Sequence, residues 1–338
     1  MKRRTFIKST GLLTASLYIT RDLYAKDKGP VYGHNNMQYT FDSQWAKADP
    51  LKNPVNDCHE MVQDASGRIL LLTNETKNNV LIFNTSGKLL TTWGHAFPGA
   101  HGLTLAGDVL FITDTVKHQV YKTSLKGETL LTIDPPGEDN LYPTNETFVP
   151  TEVAVTDKGE FYIADGYGAQ YILHYDASGK LINYFGGRGE GDEKLDNAHG
   201  ICIDRRQGSP TLLVTDRTRN CFKRFSMDGK LIDVIHLPGA CVCRPVIKGD
   251  YLYAAVLRSP DLSAEKTGFV TILDKQNKVV SNIGGTTPTY DVAGKLQPMA
   301  QAEKIFVHPH DVCVDKDENL YVAQWASGKV YPYKFKRV

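Results

Sequence analysis

Four of the ten histidines in this chain of 338 residues each open a segment that alternates apolar and polar side chains: His59, His101, His199 and His310. The segments read HEMVQDASGRILLLTN, HGLTLAGDVLFITD, HGICIDRRQGSPTLLVTD and HDVCVDKDENLYVAQ. Two more segments of the same kind open at Thr151 (TEVAVTDKGEFYIAD) and near Cys243 (CRPVIKGDYLYAAV). A side chain that recurs at one place in a repeat is carried by symmetry to one level around an axis. Neutral imidazoles suit Zn²⁺, and a site with three of them keeps a further position open for chemistry. The strands that follow end in more polar groups: Asn74, Tyr167 after Asp165-Gly166, Arg217 after Asp216, and Gln324. A tyrosine beside a cation ionises below its ordinary value of about 10 and can act as a general base. An arginine there can clamp a carboxylate or steady an oxyanion.

These residues can meet only if the chain closes on itself. The six segments start 42, 50, 48, 44 and 67 residues apart. Period-two alternation with Gly, Asn and Asp turns reads as β-hairpins, and no stretch sustains a helical period with caps. About four strands per ~45 residues is the pattern of a β-propeller blade. One blade cannot bury both faces, whereas a closed ring can, and closure also protects sheet edges. The expected fold is all-β, a six-bladed propeller over residues 54–338. An N-terminal segment, 26–53, includes the stretch MQYTFDSQW (37–45), which is expected to supply the outer strand of the last blade. The first strand of each blade then lines the channel, which places His59, His101, Thr151, His199, Cys243 and His310 near one mouth. The largest insertion, Thr286 to Lys304, is read as a loop on one face.

Composition removes several alternatives. Lys+Arg (39) and Asp+Glu (38) nearly cancel, so the basic excess of a nucleic-acid binder is missing. No run approaches the ~20 apolar residues of a membrane span. No P-loop, dinucleotide fingerprint or GxSxG elbow is present, and GGRGEG (186–191) follows a strand but opens no helix. Residues 1–25 read as a signal peptide: Met1-Lys2-Arg3-Arg4-Thr5-Phe6-Ile7-Lys8, an apolar stretch from Gly11 to Thr20, and Ala25 at the cleavage position. The Arg3-Arg4 pair resembles a twin-arginine signal. The expected location is the periplasm or the exterior. The six cysteines (58, 202, 221, 241, 243, 313) form neither a CxxC zinc pair nor a small-protein disulfide framework, and no bridge is assigned.

The segments AHGLTL, FYIADGYGAQYILHYDASGKLINYFGG, AHGICI, VTDRTRNCFKRF and HPHDVCVDKDENLYVA resemble NHL-repeat propellers, among them the peptidyl-α-hydroxyglycine α-amidating lyases. That resemblance runs over roughly residues 50–335. It implies zinc on His101, His199 and His310, Tyr167 as base and Arg217 in the active site. It also implies a calcium ion held by Asp311 with backbone oxygens near Met61 and Leu103. This chain departs from the pattern in several places. Asn74 stands where those lyases have an arginine, His308 where they have a methionine, and His59 adds an imidazole. Gly168 and Leu213 occupy two of their disulfide positions.

The function expected on these grounds is an exported metal-dependent lyase. Zinc is the Lewis acid, Tyr167 the base, and Arg217 and Arg244 hold a carboxylate while a C–O bond breaks by elimination. His59, Asn74, Arg244 and His308 are expected to contact substrate. The loss of the arginine at Asn74 favours a hydroxy acid or a uronate-containing oligosaccharide. One alternative is amidating-lyase activity itself; the other is a non-catalytic propeller whose loops grip a partner. No protein partner is indicated.

Overall fold

The computed structural model describes residues 29–137, 141–142 and 147–338, so the leader read over residues 1–25 lies outside the described residues. Among the described residues there are strands, turns and loops and no helix. The strands form six antiparallel sheets arranged as the blades of a propeller. The innermost strands of blades one to four are Cys58–Gln63, Ala100–Ala106, Glu152–Val155 and Ile201–Asp204. Blade five has a broken inner strand, Cys241–Val242 followed by Val246–Lys248, and blade six begins with Pro309–Val314. The break falls at Cys243-Arg244-Pro245, where proline withholds the N–H that a ladder needs.

The N-terminal segment closes the ring. Met37–Asp42 pairs antiparallel with Tyr333–Arg337, with Tyr39 opposite Arg337 and Asp42 opposite Lys334. Trp45 then leaves the strand and fills the gap between the sixth and first blades, 4.7 Å from Tyr321 and 5.3 Å from Phe83 by ring centroids. Val31–His34 adds a further edge strand that sequence alone did not reveal. It also clasps blade five, because His34 N–H donates to Ser281 Oγ at 2.7 Å and Asn35 Nδ2 to the Val280 carbonyl at 2.7 Å.

Each junction between neighbouring blades holds one apolar cluster. Leu70, Leu72 and Val80 of the first blade meet Leu103, Leu110 and Ile112 of the second, for example. Alternation along each strand makes this possible, since both sheet faces are buried against neighbours. Each fully buried Leu, Ile or Phe contributes roughly 1.5–3 kcal/mol. The outer hairpins repeat one device, a type I turn followed by a left-handed residue. In DASGK, Asp176 Oδ1 accepts from the N–H groups of Ser178 and Lys180, and Gly179 has φ +91°. The segment from Thr286 to Lys304 folds back on the ring: Met299 is buried between blades four and five and donates its N–H to the Pro238 carbonyl at 2.8 Å.

Candidate metal centre

The histidines sit where the inner strands start, and the chain allows close approach there. Gly102 and Gly200 directly follow His101 and His199. A Cβ on Gly102 would lie 2.5 Å from the Thr151 carbonyl oxygen, and one on Gly200 would lie 2.6 Å from the Arg244 Cα. Threonines latch the blades at the same level: Thr113 Oγ1 donates to the Thr151 carbonyl at 3.1 Å and Thr215 Oγ1 to the Cys243 carbonyl at 2.6 Å.

The four imidazoles are buried and converge. Ring centroids are 4.8 Å apart for His101–His199, 5.0 Å for His101–His310 and 4.9 Å for His199–His310. His59 lies 5.0 Å from His101 and 4.9 Å from His310. The ring nitrogens of His59, His101 and His310 lie within 4.8 Å of one another, and so do donor atoms of His199, Cys243 and His310. Backbone carbonyls fix the tautomers of two members. His101 Nδ1 donates to the Thr151 carbonyl at 2.9 Å and His310 Nδ1 to the His59 carbonyl at 3.0 Å. That leaves each Nε2 bare, the form in which histidine binds metal. His59 Nδ1 and His199 Nδ1 are buried with no hydrogen-bond partner. Burial, with the Arg217 charge adding, pushes His59 down to about 3. Burial first, then neighbouring imidazoles, hold His101 and His310 well below the usual range. Neutral, inward-facing nitrogens with orphaned atoms among them fit a soft or borderline divalent cation. Cys243, read from sequence only as a ring position, joins the donor set; burial pushes its thiol up to about 12.

Tyr167 and Arg217 complete the mouth. Both ride on turns anchored by a buried aspartate at the end of the preceding strand, Asp165 just after Phe161–Ala164 and Asp216 as the last residue of Thr211–Asp216. Asp165 accepts from Val149 N–H at 2.6 Å and Ala169 N–H at 2.7 Å. Asp216 accepts from Asp196 N–H at 3.0 Å and pairs with Lys223 at 3.1 Å. Tyr167 Oη lies 3.1 Å from His101 Nε2 and accepts from Arg217 Nη2 at 3.1 Å. The tyrosine side chain is 43% exposed because it forms a pocket wall, while its hydroxyl points into the ring. Burial of that hydroxyl raises its pKa above the usual value, with the Arg217 charge opposing. Arg217 Nε is buried and has no acceptor among the described residues. Asn197 was not singled out from sequence, yet it orients both neighbours: its carbonyl accepts from the N–H groups of His199 and Arg217. Its left-handed φ of +73° is its one local peculiarity.

A cavity of about 350 Å³ opens over this group, walled by His59, His101, His310, Tyr167, Arg217 and Asn74, with Leu257, Val116 and Trp325 supplying apolar surface. Leu257 and Trp325 carried no recognisable sequence signal.

Three sequence expectations need correction. Arg244 does not face this cavity. Its guanidinium is buried in the hub, paired with Asp311 at 2.8 Å and Glu60 at 3.2 Å, and it lines a second cavity at the opposite mouth. The group that the resemblance assigns to calcium, Asp311 with the Met61 and Leu103 carbonyls, therefore already holds a cation of the protein's own. A calcium ion does not fit there. His308 lies behind Trp325, off the cavity wall, and its Nε2 accepts from Lys266 N–H at 2.8 Å. Asn74 does reach the wall, but its amide oxygen accepts from Asn56 and Asp57 and its Nδ2 donates to Asp57. The amide thus rebuilds a local network where an arginine would project a charge.

No family model matches the chain. Over 277 residues it is 26% identical to peptidyl-alpha-hydroxyglycine alpha-amidating lyase 1 of Drosophila melanogaster, covering 73% of this chain and 47% of that protein. It is 26% identical over 234 residues to NHL repeat-containing protein 3 of Homo sapiens, covering 59% of this chain and 67% of that one. The chain spans less than half the length of the amidating lyases it matches. Among solved structures, a streptogramin B lyase superposes with a TM-score of 0.56 at 14% identity, over 84% of this chain and 94% of that one, a likeness of fold. The chain is a six-bladed β-propeller whose curated homologues are named as amidating lyases and NHL-repeat proteins.

Proposed function

We propose that this protein is a metal-dependent lyase acting on a small α-hydroxy acid unit, with an N-acyl-α-hydroxyglycine as the best-fitting substrate. The observation that carries this is the position of Tyr167 Oη, 3.1 Å from both His101 Nε2 and Arg217 Nη2 at the floor of the cavity. A divalent cation held by His101, His199 and His310, with His59 and Cys243 adjacent, would supply a Lewis acid and no redox chemistry. Arg217 brings its guanidinium charge to the cavity wall, where it attracts the substrate carboxylate and favours an ionised Tyr167. Leu257, Val116 and Trp325 give the acyl group an apolar wall. Tyr167 takes the proton of the α-hydroxyl as the C=O of glyoxylate forms. The Cα–N bond breaks, and the departing amide nitrogen takes up a proton, so nothing is oxidised or reduced.

The preference for a uronate-containing oligosaccharide rested on the missing arginine at Asn74, and what counts against it is the charge of the cavity. Arg244 lies in the hub and the Asn74 amide is satisfied internally, so among the described residues the cavity wall offers a polyanion a single cation, Arg217. The relatives named as amidating lyases support the same choice. The leader read from sequence would place the activity outside the cytoplasm. The test incubates the purified, metal-loaded protein with N-acyl-α-hydroxyglycine and with a uronate oligosaccharide, each with and without chelator. Glyoxylate released in the first arm and abolished by chelator is expected. Unsaturated-uronate absorbance in the second arm alone would shift the substrate to the sugar, and silence in both would reject the lyase reading.

A further inference from the structure

The guanidinium of Arg244 lies at the centre of the ring, on the far side of the histidines from their cavity. Six oxygens surround it: Asp311 Oδ1 at 3.1 Å and Oδ2 at 2.8 Å, the Leu103 carbonyl at 2.8 Å, the Met61 carbonyl at 3.1 Å, Glu60 Oε2 at 3.2 Å and Glu152 Oε2 at 3.8 Å. These belong to the first, second, third and sixth blades, and Arg244 itself to the fifth. All three carboxylates are buried and tied to backbone: Met61 N–H donates to Asp311 Oδ2, Leu103 N–H to Glu60 Oε2 and Val153 N–H to Glu152 Oε1. Burial raises the Glu60 carboxyl well above its usual range, against Arg244 and with Glu152 adding to the effect.

We infer that Arg244 is a tethered replacement for a hard divalent cation at the hub, and that the site it fills is a latent oxygen-ligand calcium site. The donor set supports this. Carboxylate and carbonyl oxygens converging from several strands are what Ca²⁺ requires, in sets of six to eight. Three buried carboxylates in one place repel one another and need a positive charge between them. A guanidinium supplies that charge with five N–H donors fixed in a plane, enough to satisfy acceptors from several blades at once. The broken strand at Cys243-Arg244-Pro245 turns the side chain inward, and Gly200 lets the Arg244 backbone approach. The ring is therefore pinned at its axis without a second metal, so loss of the histidine-bound cation and loss of hub integrity are separable in this protein.

Removing the guanidinium but keeping the oxygens should expose the latent site. Arg244→Ala leaves room for an ion and its water; Arg244→Met removes the charge and fills the space. The probe is Ca²⁺ alone, added to the metal-loaded protein, read by thermal unfolding and by calorimetric titration. The expected result has three parts. The wild type shows no Ca²⁺ binding and no shift in Tm with Ca²⁺ or with a calcium-selective chelator. Arg244→Ala unfolds at lower temperature and recovers roughly 5 °C or more at Ca²⁺ about a hundredfold above its Kd. Arg244→Met stays destabilised with or without Ca²⁺. Stoichiometric Ca²⁺ binding by the wild type would overturn the inference, as would an Arg244→Ala protein, folded or not, that is indifferent to Ca²⁺.

Discussion

His101 and His199 stand 98 residues apart in sequence and bring their Nε2 atoms to 3.2 Å in the middle of the ring. The Nδ1 proton of His101 is already given to the Thr151 carbonyl, so its Nε2 presents a lone pair. The Tyr167 hydroxyl points at that same nitrogen, and Arg217 points at the hydroxyl. The proposed metal ligand, the proposed base and the proposed carboxylate clamp are thus joined in one chain of contacts across three blades.

Removing the Tyr167 hydroxyl should stop turnover and leave the centre intact. Tyr167→Phe is expected to lower kcat by about 10²–10⁴, the usual contribution of a positioned base, with metal content and fold unchanged. A base that must ionise makes the wild-type rate rise with pH, and the variant should lose that limb. A variant retaining most of its turnover would remove Tyr167 from the chemistry.

Arg217 is expected to act mainly on substrate binding. Lysine keeps the charge but lacks the planar fork through which Arg217 Nη2 meets both Tyr167 and Asn197. Arg217→Lys should raise KM by about tenfold or more, equivalent to ~1.4 kcal/mol, with a smaller loss in kcat. An unchanged KM in steady-state kinetics would contradict a carboxylate clamp at this position.

Cys243 shares its neighbourhood with His199 and His310, and thiolate ligation has its own signature. Cobalt(II)-loaded protein is expected to show a sulfur-to-cobalt charge-transfer band that Cys243→Ser abolishes. A cobalt spectrum identical in the two proteins would leave the centre with imidazole ligands alone.

Much of this was legible before the structure. The hairpins announced themselves because the inner strands are apolar and many of the turns between strands carry a left-handed residue, as at Gly179. The repeat placed His101, His199 and His310 on one level because blade symmetry is a property of spacing. Other features are set by packing, which spacing does not encode. Arg244 looked like a substrate ligand because its direction depends on a strand break at Pro245 and on the carbonyls of Met61 and Leu103. His308 sits two residues before a ring histidine, yet a left-handed φ of +51° turns it away behind Trp325. The strand Val31–His34 is short and half exposed, so its alternation was too weak to read.

The metal-free protein should be acid-sensitive in a defined direction. His59, His101 and His310 have folded pKa values below the unfolded value of about 6.5. Below that value the unfolded chain binds more protons than the folded one, so stability falls as pH drops below ~6.5. Chelated protein should show this loss in denaturant titrations, and metal-loaded protein should resist it over the upper part of the window. Stability independent of pH across this range in the chelated protein would contradict burial of neutral imidazoles.

The central claim is that imidazoles from separate blades share one cation. Elemental analysis of the purified protein beside a His199→Ala variant tests it most directly. One equivalent of a transition metal in the wild type is expected, lost or bound at least tenfold more weakly in the variant, with both proteins showing the same far-ultraviolet circular dichroism. A folded wild type that takes up no stoichiometric metal, or a variant that keeps it with unchanged affinity, would contradict the claim.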